Sequence, residues 1–333
     1  MFKVAVIPGD GIGPEVTAAA RAVVDATGVA IQWIECQAGA DAAAKSGETL
    51  PDAVLDVIRQ CDAALKGPIG TPIGKGFQSV NVRLRRALDL YASPRPVKSL
   101  AGVKTRYENV DLVVVRENTE GLYAGIENVV IPGVVESLKV VTERACTRIA
   151  EFAFGYAQSH GRRKVTAAHK ASVMVLADGL FLNCAQQVAR RYPQIDYEER
   201  TIDDLSMSLV LDPSAFDVIL LENLYGDIIS DLVAGLVGGL GVVPGANLGD
   251  GVAVYEAVHG SAPDLAGRGV ANPTALILSA ALMLEGLGEE AAADRMRRAV
   301  DAVLRRGDAR TGDLGGKAST QQYAAAVAAV VAA

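Results

Sequence analysis

Residues 218–231 read VILLENLYGDIISD, an apolar run that passes at once into a polar, glycine-containing segment. The same order recurs at residues 165–170, which read VTAAHK, and at residues 112–116, which read LVVVR. A short apolar run that stops at a polar loop is typical of a strand in a buried parallel sheet. Helical patterns alternate with such runs along most of the chain, and we therefore predict an α/β fold.

The two ends of the chain extend this pattern. Near its start, strands are predicted at residues 4–7, 31–35 and 63–66, and helices at residues 14–26 and 53–60. The alanine-rich residues 322–333 predict a helix that packs on the body of the protein.

A glycine-rich turn, GDGIGPE at residues 9–15, follows the first predicted strand. It is superficially similar to a dinucleotide-binding fingerprint, and Glu35 at the end of the second strand could then contact a ribose. The spacing is wrong, however, because the third glycine comes too early and Pro14 occupies the final position. Asp10 would also place a negative charge beside a pyrophosphate. We expect a tight strand-to-helix turn here and no Rossmann site.

Asp227 and Asp231 are candidate metal ligands. Their spacing puts both carboxylates on one face of a helix, where they repel each other among apolar neighbours. A cation between them would relieve this repulsion, and oxygen ligands favour Mg²⁺ or Mn²⁺. Asp203 or Asp204 could supply a third carboxylate. The alternative, one helix-capping and one exposed aspartate, stays open at this point.

Three arginines are candidates for binding carboxylates. Arg85 and Arg95 lie in or near predicted loops, and Arg116 follows the run at residues 112–115. Guanidinium groups hold carboxylates in a bidentate geometry, so three of them at strand or loop ends would suit a polycarboxylate. Each could instead form a surface ion pair, although the two prolines beside Arg95 make a mobile surface role less favourable.

Lys170 and Tyr123 are candidates for proton transfer. A lysine near other cations can have a lowered pKa, and a tyrosine can donate a proton. Either residue alone is weak evidence, because lysines after strands and tyrosines in cores are ordinary.

Composition limits the classes of function. The formal net charge of −7 argues against a nucleic-acid binder, and four widely spaced cysteines without a CxxC pair argue against a zinc site or a disulfide framework. Residues 232–249 carry no charge but are rich in glycine, so we expect a buried segment and no membrane span. With no signal peptide ahead of the first strand, we expect a cytoplasmic protein.

Together these segments resemble the isocitrate/isopropylmalate dehydrogenase family of β-decarboxylating dehydrogenases. The resemblance runs through nearly the whole chain in the family's order, from residues 9–15 to residues 313–316. It is most specific at residues 223–231 and at residues 259–264, which read HGSAPD. It implies the family's own α/β fold, with two domains and a central cleft.

The resemblance also implies how the chain is divided. Residues 1–98 and 252–333 would form a large domain that carries the cofactor loop. Residues 99–251 would form a small domain with the dimer interface, in which residues 124–137 help to clasp the subunits. Substrate and metal would bind in the cleft, and the protein would be a homo-oligomer, at least a dimer with shared active sites.

The candidate residues match the family's site positions. Tyr123 and Lys170 would be the catalytic pair, with Lys170 reaching in from the other subunit to accept the hydroxyl proton. Asp227 and Asp231 would bind the metal, and Asp203 would be contributed by the partner chain. The implied substrate residues are Ser79, Asn81, Arg85, Arg95 and Arg116. The implied cofactor residues are Ile69, Thr71, His259, Gly260, Ser261, Ala262, Asp264, Leu265 and Asn272.

Within this family, Ser79 and Asn81 favour isocitrate. Isopropylmalate enzymes are apolar at this place, whereas two hydrogen-bonding groups suit a third carboxylate. The flanking residues 71–76 also resemble the NAD-dependent isocitrate branch. Asp264 can accept hydrogen bonds from both ribose hydroxyls of NAD⁺ and would repel the 2′-phosphate of NADP⁺, whose users carry a Lys-Tyr pair at this place. The implied reaction, a step of the tricarboxylic acid cycle, converts isocitrate and NAD⁺ to 2-oxoglutarate, CO₂ and NADH with Mg²⁺ or Mn²⁺.

Three alternatives remain from the sequence. The substrate could be homoisocitrate or 3-isopropylmalate, the chain could be a non-catalytic regulatory subunit, or it could be a plain dinucleotide-binding module built on the first glycine turn. The chain also departs from the family at Ser172, where asparagine is usual, and the shorter side chain implies a weaker or water-mediated contact to cofactor or substrate.

Overall fold

The computed structural model describes residues 1–70 and 79–333. Its strands are β1 Phe2–Ile7, β2 Ile31–Glu35, β3 Ala63–Lys66, β4 Ala92–Lys98, β5 Asp111–Glu117, β6 Gly121–Ile131, β7 Val134–Val140, β8 Lys164–His169, β9 Asp196–Thr201, β10 Val218–Leu221, β11 Pro244–Leu248 and β12 Ala253–Ala257. Its α-helices are α1 Gly13–Asp25, α2 Ala40–Ser46, α3 Asp52–Gln60, α4 Val80–Ala87, α5 Glu143–Ser159, α6 Ala177–Ala189, α7 Ile202–Leu211, α8 Asn223–Leu236, α9 Thr274–Gly286, α10 Glu290–Arg306 and α11 Thr320–Ala332.

In the described residues, ten strands form one large sheet in the order β2-β1-β3-β12-β11-β4-β5-β10-β8-β9. The strands from β2 to β12 are parallel to one another, and so are the strands from β5 to β9. Antiparallel pairing through β11 and β4 joins the two groups. This order differs from that of a Rossmann fold, and the predicted α/β architecture is confirmed.

Helices cover both faces of this sheet. The chain ends meet where α1 and α11 pack together beside α9 and α10. Helix α9 is apolar all round, and it is buried because it lies between other helices and strands β11 and β12. The helix predicted at the C-terminus is confirmed as α11, which begins with a capping box at Ser319.

Strands β6 and β7 form a separate hairpin that leaves apolar side chains exposed, among them Val129 and Val135. The expectation that this hairpin clasps a second subunit remains a prediction. So does the domain division, whose borders fall at the end of β4 and in the turn between β11 and β12.

Residues 232–249 are divided among the end of α8, a 3₁₀ turn at Leu240–Val242 and strand β11. Most of their apolar side chains are buried, as the composition of the segment predicted. None of the helices in the described part of the chain has both the length and the apolar character that a membrane crossing requires.

Candidate active site

A cavity of about 120 Å³ opens at the centre of the large sheet. It lies beside strands β3, β4, β11 and β12 and below helix α4. Its lining includes the predicted substrate residues Asn81, Arg85 and Arg95 and the predicted cofactor residues Ile69, His259 and Gly260. These six substrate and cofactor candidates therefore meet at one place.

Helix α4 directs one of its three arginines into this cavity. Asn81 and Arg85 are four residues apart on one helical face and both line it. The guanidinium of Arg83 instead donates hydrogen bonds to the carbonyl of Leu50 at 2.7 Å and to the carboxylate of Asp52 at 2.9 Å. The expectation that Arg85 lies at a strand or loop end is wrong, because this segment is helical. Ser79 occupies the N-cap position of α4.

Arg85 shares a buried carboxylate with a lysine that the sequence patterns did not single out. Glu256 on β12 accepts hydrogen bonds from Arg85 at 3.1 Å and from Asn247 at 2.7 Å, and it forms an ion pair with Lys66 at the end of β3. Burial alone would raise the pKa of Glu256, but Lys66 and Arg85 hold it well below its usual value. Glu256 thus stays charged and fixes both cations at the rim of the cavity.

Arg95 lies in the middle of β4 and not at a strand or loop end as expected. Its guanidinium is buried, donates to Ser230 on α8 and comes within 3.9 Å of Asp227. Burial and the nearby Arg85 lower its pKa. Arg95 therefore connects strand β4 to helix α8, which carries the candidate metal ligands Asp227 and Asp231.

Arg116, at the end of β5, is 1% exposed and crosses the first turn of α8. It donates to Asn223 Oδ1 from Nη2 at 2.7 Å and from Nε at 3.2 Å, and it forms an ion pair with Asp227. Gly226 makes this crossing possible, since a Cβ there would lie 2.4 Å from Arg116 Cγ. Burial, Arg95 and Arg85 lower the pKa of Arg116 to about 9.

Asp227 and Asp231 lie on the same face of α8, as predicted, and neither caps the helix, whose N-cap is Glu222. Tyr123 donates to Asp227 Oδ2 at 2.5 Å. Burial favours the protonated form of Asp227, but Arg116 and Tyr123 outweigh it and lower the pKa, whereas burial raises the pKa of Asp231. Two carboxylates one turn apart, partly exposed and oxygen-only, form a donor set that fits Mg²⁺ or Mn²⁺.

Lys170 and Asp203 form a second cluster. Lys170 Nζ lies 2.5 Å from Asp203 Oδ1, and both side chains are substantially exposed. Among the described residues, no hydrogen bond or ion pair joins this pair to Asp227, Tyr123 or the arginines. Nor does the described part of one chain bring three potential metal-ligating side chains together. Asp204, the alternative third carboxylate, pairs with Arg200 at 2.9 Å.

The predicted cofactor loop is supported by the glycine turn after β1. Ile12 N donates to Ser261 O at 2.9 Å, and a Cβ on Gly11 would lie 2.0 Å from that same oxygen. Asp10 accepts from the backbone N–H groups of Ala40 and Gly70 at 2.8 and 2.9 Å. The tight strand-to-helix turn is confirmed, and its glycines allow close packing against the loop.

The remaining cofactor candidates lie along the same loop. Ala262 has a left-handed backbone with φ of 37°, and Asp264 and Leu265 form a single 3₁₀ turn with Asp264 exposed. Asn272 is largely committed elsewhere, because its Oδ1 accepts from Thr274 and its Nδ2 donates to Asp313 at 2.8 Å.

Three further positions noted in the sequence do not belong to this loop. Thr71, with the rest of residues 71–76 that resemble the isocitrate branch, lies outside the described residues. The side chain of Glu35 is exposed, and its carboxylate lies 3.8 Å from the guanidinium of Arg21. Ser172 is exposed in the turn after Lys170.

Several polar atoms at the cavity are buried with no hydrogen-bond partner in the described residues: Asn81 Oδ1, Arg85 Nε and His259 Nε2. Burial and Lys66 lower the pKa of His259, so its ring is neutral. Unpaired buried polar atoms are unfavourable unless a ligand satisfies them. The residues therefore fit a polar ligand between α4 and the loop that begins at His259.

Comparison with known proteins identifies the family. The family model for isocitrate/isopropylmalate dehydrogenase matches residues 3–327. The chain is 51% identical to "Isocitrate dehydrogenase [NAD] catalytic subunit 5, mitochondrial" of Arabidopsis thaliana, over 96% of this chain and 86% of that protein. It is also 51% identical to a mitochondrial protein of Dictyostelium discoideum that is named as a regulatory subunit of NAD isocitrate dehydrogenase, over 96% of this chain and 89% of that protein.

A 3-isopropylmalate dehydrogenase from the chloroplast of Solanum tuberosum is 50% identical over 92% of this chain and 85% of its own. The crystal structure of isocitrate dehydrogenase from Methylococcus capsulatus superimposes with a TM-score of 0.97 at 48% identity, and all of both chains is covered. The predicted family fold is thus confirmed.

The prediction of a cytoplasmic location is wrong. It depended on the absence of a recognisable signal, whereas the isocitrate dehydrogenase relatives from Arabidopsis thaliana and Dictyostelium discoideum are named mitochondrial. The family model over residues 3–327 and the relatives at about 50% identity show the broader assignment: the chain belongs to the isocitrate/isopropylmalate dehydrogenase family.

Proposed function

We propose that this protein is an NAD⁺-dependent isocitrate dehydrogenase that needs Mg²⁺ or Mn²⁺ and works as a dimer with shared active sites. The observation that carries the proposal is one continuous cluster of cations: Arg85 and Arg95 line the cavity, and Arg95 and Arg116 approach Asp227 on α8. Three guanidinium groups suit a polycarboxylate substrate, and Ser79 and Asn81 would add hydrogen bonds for the third carboxylate of isocitrate.

The choice of isocitrate over 3-isopropylmalate depends on the face of α4 that lines the cavity. An isopropyl group would need an apolar surface there, but Asn81 and Arg85 supply an amide and a guanidinium. Enclosing an alkyl group against these polar atoms would leave them unpaired, which is unfavourable by about 1–3 kcal/mol for each group. A carboxylate would instead accept hydrogen bonds from the amide N–H groups of Asn81 and from the guanidinium of Arg85.

The described residues suggest a role for each group during the reaction. The arginines hold the substrate carboxylates. Asp227 and Asp231, with Asp203 of a second copy, would hold the divalent ion, and the loop from His259 to Leu265 would hold NAD⁺. When bound, the ion would draw electron density from the C2 oxygen and NAD⁺ would accept the hydride.

Two proton transfers complete the proposed reaction. Lys170 of a second copy accepts the proton of the C2 hydroxyl while hydride leaves the same carbon. After CO₂ departs, Tyr123 donates a proton to the carbon that carried it. Burial, followed by the bond to Asp227, raises the pKa of Tyr123, so its hydroxyl keeps the proton until the carbanion forms. Isocitrate and NAD⁺ thus give 2-oxoglutarate, CO₂ and NADH.

A substrate panel tests this proposal. With Mn²⁺ and either NAD⁺ or NADP⁺, we expect the highest kcat/KM for isocitrate with NAD⁺, and we expect exhaustive chelation of the metal to abolish turnover. If homoisocitrate or 3-isopropylmalate gave a higher kcat/KM, the interpretation of Ser79 and Asn81 would be wrong.

A second candidate is a regulatory subunit, because one similar protein carries that name. The presence of Tyr123, Lys170, Asp203, Asp227 and Asp231 favours catalysis. A purified chain that is inactive alone but activates another subunit would reverse this preference, and it would replace the proposed homodimer with a hetero-oligomer.

A further inference from the structure

A buried cluster that contacts the backbone of Lys170 lies outside the cavity and has no role in the proposed reaction. Lys139 on β7 forms ion pairs with Asp178 in the first turn of α6, at 2.5 Å, and with Glu222, the N-cap residue of α8. The side chain of Asp178 is completely buried, and those of Lys139 and Glu222 are 15% and 8% exposed. One ammonium group thus connects the hairpin, α6 and the helix that carries Asp227.

Asp178 also fixes the backbone of Lys170. Its Oδ2 accepts from Lys170 N at 2.6 Å, while Oδ1 accepts from Lys139. On the other side of the same residue, Lys170 O accepts from the N–H groups of Val173 and Met174, both at 2.9 Å. The main chain at Lys170 is therefore held from both directions.

The side chain of Lys170 is held much less firmly. Its contact is with Asp203, and the two side chains are 32% and 64% exposed. A flexible four-carbon side chain reaches a reacting atom reproducibly only if its Cα is fixed. The carboxylate of Asp178 supplies that fixed point, and Lys139 compensates its buried charge.

We propose that Lys139, Asp178 and Glu222 are positioning residues that set the location of Lys170 relative to α8, and so its reach into the active site of a second copy. The inference rests on the proposed function, since it needs Lys170 to accept a proton. It predicts that loss of Lys139 leaves two buried carboxylates without their cation and lets the turn at Lys170 shift.

The experiment compares Lys139→Met, Lys139→Arg and the control Lys164→Met in the full-length protein. Lys164 is also ion-paired, to Glu198 at 3.2 Å, but it lies at the opposite end of β8 from Lys170. For Lys139→Met we expect kcat to fall about 10- to 100-fold, with KM for isocitrate and NAD⁺ changed by less than about twofold. We expect Lys139→Arg to recover most of this loss, and Lys164→Met to leave kcat within about twofold of the unmodified protein.

A double-mutant cycle separates positioning from a general loss of structure. If Lys139 acts through Lys170, adding Lys139→Met to Lys170→Ala should lower kcat by no more than about twofold further. Losses that multiply would show that the two residues act independently and would overturn the inference.

Asp178→Asn covers the case in which Lys139→Met does not fold. It keeps the size of the side chain and removes its charge, and we expect kcat to fall about 10-fold at unchanged KM. A folded Asp178→Asn or Lys139→Met protein with undiminished kcat would overturn the inference while the unmodified protein still oxidises isocitrate. If the unmodified protein did not turn over isocitrate, the proposed function and this inference would both fail.

Discussion

The arginine cluster and the Lys170–Asp203 pair differ in how they are built. Arg95 and Arg116 are buried, and their guanidinium groups are bonded to side chains of α8. Lys170 and Asp203 contact each other at the surface, with Asp203 64% exposed. The first group is organised within one chain, whereas the second is presented outward.

This difference is what the proposed site, shared between two copies, would require. Groups that bind the substrate need a low-dielectric, preorganised setting, which a single chain provides at its central strands. The groups that a neighbour would contribute must stay accessible until the two copies meet. Replacements in the exposed region should therefore lower activity alone, whereas replacements in the buried region should lower both activity and stability.

The largest expected effect on activity is at the exposed region. Lys170→Ala should lower kcat by about 10²- to 10⁴-fold, because it removes the proposed proton acceptor. The melting temperature should barely change, since an exposed ion pair contributes little to stability. Steady-state kinetics and thermal melting measure the two effects, with Lys98→Ala in the exposed pair with Asp111 as the control. A large loss of stability would contradict the contrast between the regions.

Gly226→Ala, in the buried region, should lower both activity and stability. The added Cβ would lie 2.4 Å from Arg116 Cγ, so that guanidinium must move away from Asp227. We expect kcat/KM to fall about 10²-fold and the melting temperature to fall as well. Gly235 on the same helix is the matched control, because a Cβ there meets nothing within 4 Å, and Gly235→Ala should be neutral or stabilising. Equal behaviour of the two variants would refute the steric argument.

Asp264→Lys should act on the cofactor alone. We expect kcat/KM for NAD⁺ to fall about 10-fold or more, because the lysine removes an acceptor for the ribose hydroxyls. Glu35→Ala should have little effect, since Glu35 lies in an exposed pair with Arg21. Cofactor titrations of both variants decide this. A larger loss for Glu35→Ala would restore the rejected Rossmann interpretation.

The smallest effect is expected far from both regions, at His160 beyond α5 and Glu285 on α9. Glu285 raises the pKa of His160 above its ordinary value of 6.5, and the contribution of His160 to stability is lost as the pH rises through the raised value. His160, against the effect of burial and together with Arg297, lowers the pKa of Glu285 from 4.5 to about 2, so its contribution is lost only as the pH falls through that range.

His160→Gln should therefore reduce the free energy of unfolding near pH 5.5 by less than about 1 kcal/mol, because the pair is partly exposed. The difference from the unmodified protein should disappear near pH 9, as measured by denaturant unfolding. A difference in the free energy of unfolding that grew with pH would show that the pKa of His160 is not raised.

Sequence patterns predicted the strands that end in polar loops, because an apolar run followed by Arg116 or Lys170 is a local signal. They missed β4, whose Pro94 and Pro96 argue against a strand inside a sheet. The strand tolerates them because its pairing with β11 consists of the single pair Ala92–Leu248.

The buried ion pair of Lys66 and Glu256 was also missed. Lys66 ends the apolar strand β3, and Glu256 interrupts the apolar strand β12. A charged residue in such a strand does not reveal which distant residue it pairs with. The spacing of Asp227 and Asp231 was informative because a helix brings them together locally. The partnership of Arg116 with Asn223 and Gly226 depends on how β5 packs against α8, which the sequence did not show.

Mixing two inactive variants tests the shared site most directly. The Lys170→Ala chain retains Asp227 for its own proposed active site, and the Asp227→Asn chain retains Lys170 for its neighbour, so a dimer of one chain of each would contain one intact site. When the two are co-expressed and assort at random, about half of the dimers are mixed, and we expect about a quarter of the unmodified activity to return. Activity that stays at the level of the separate variants would contradict a site built from two copies.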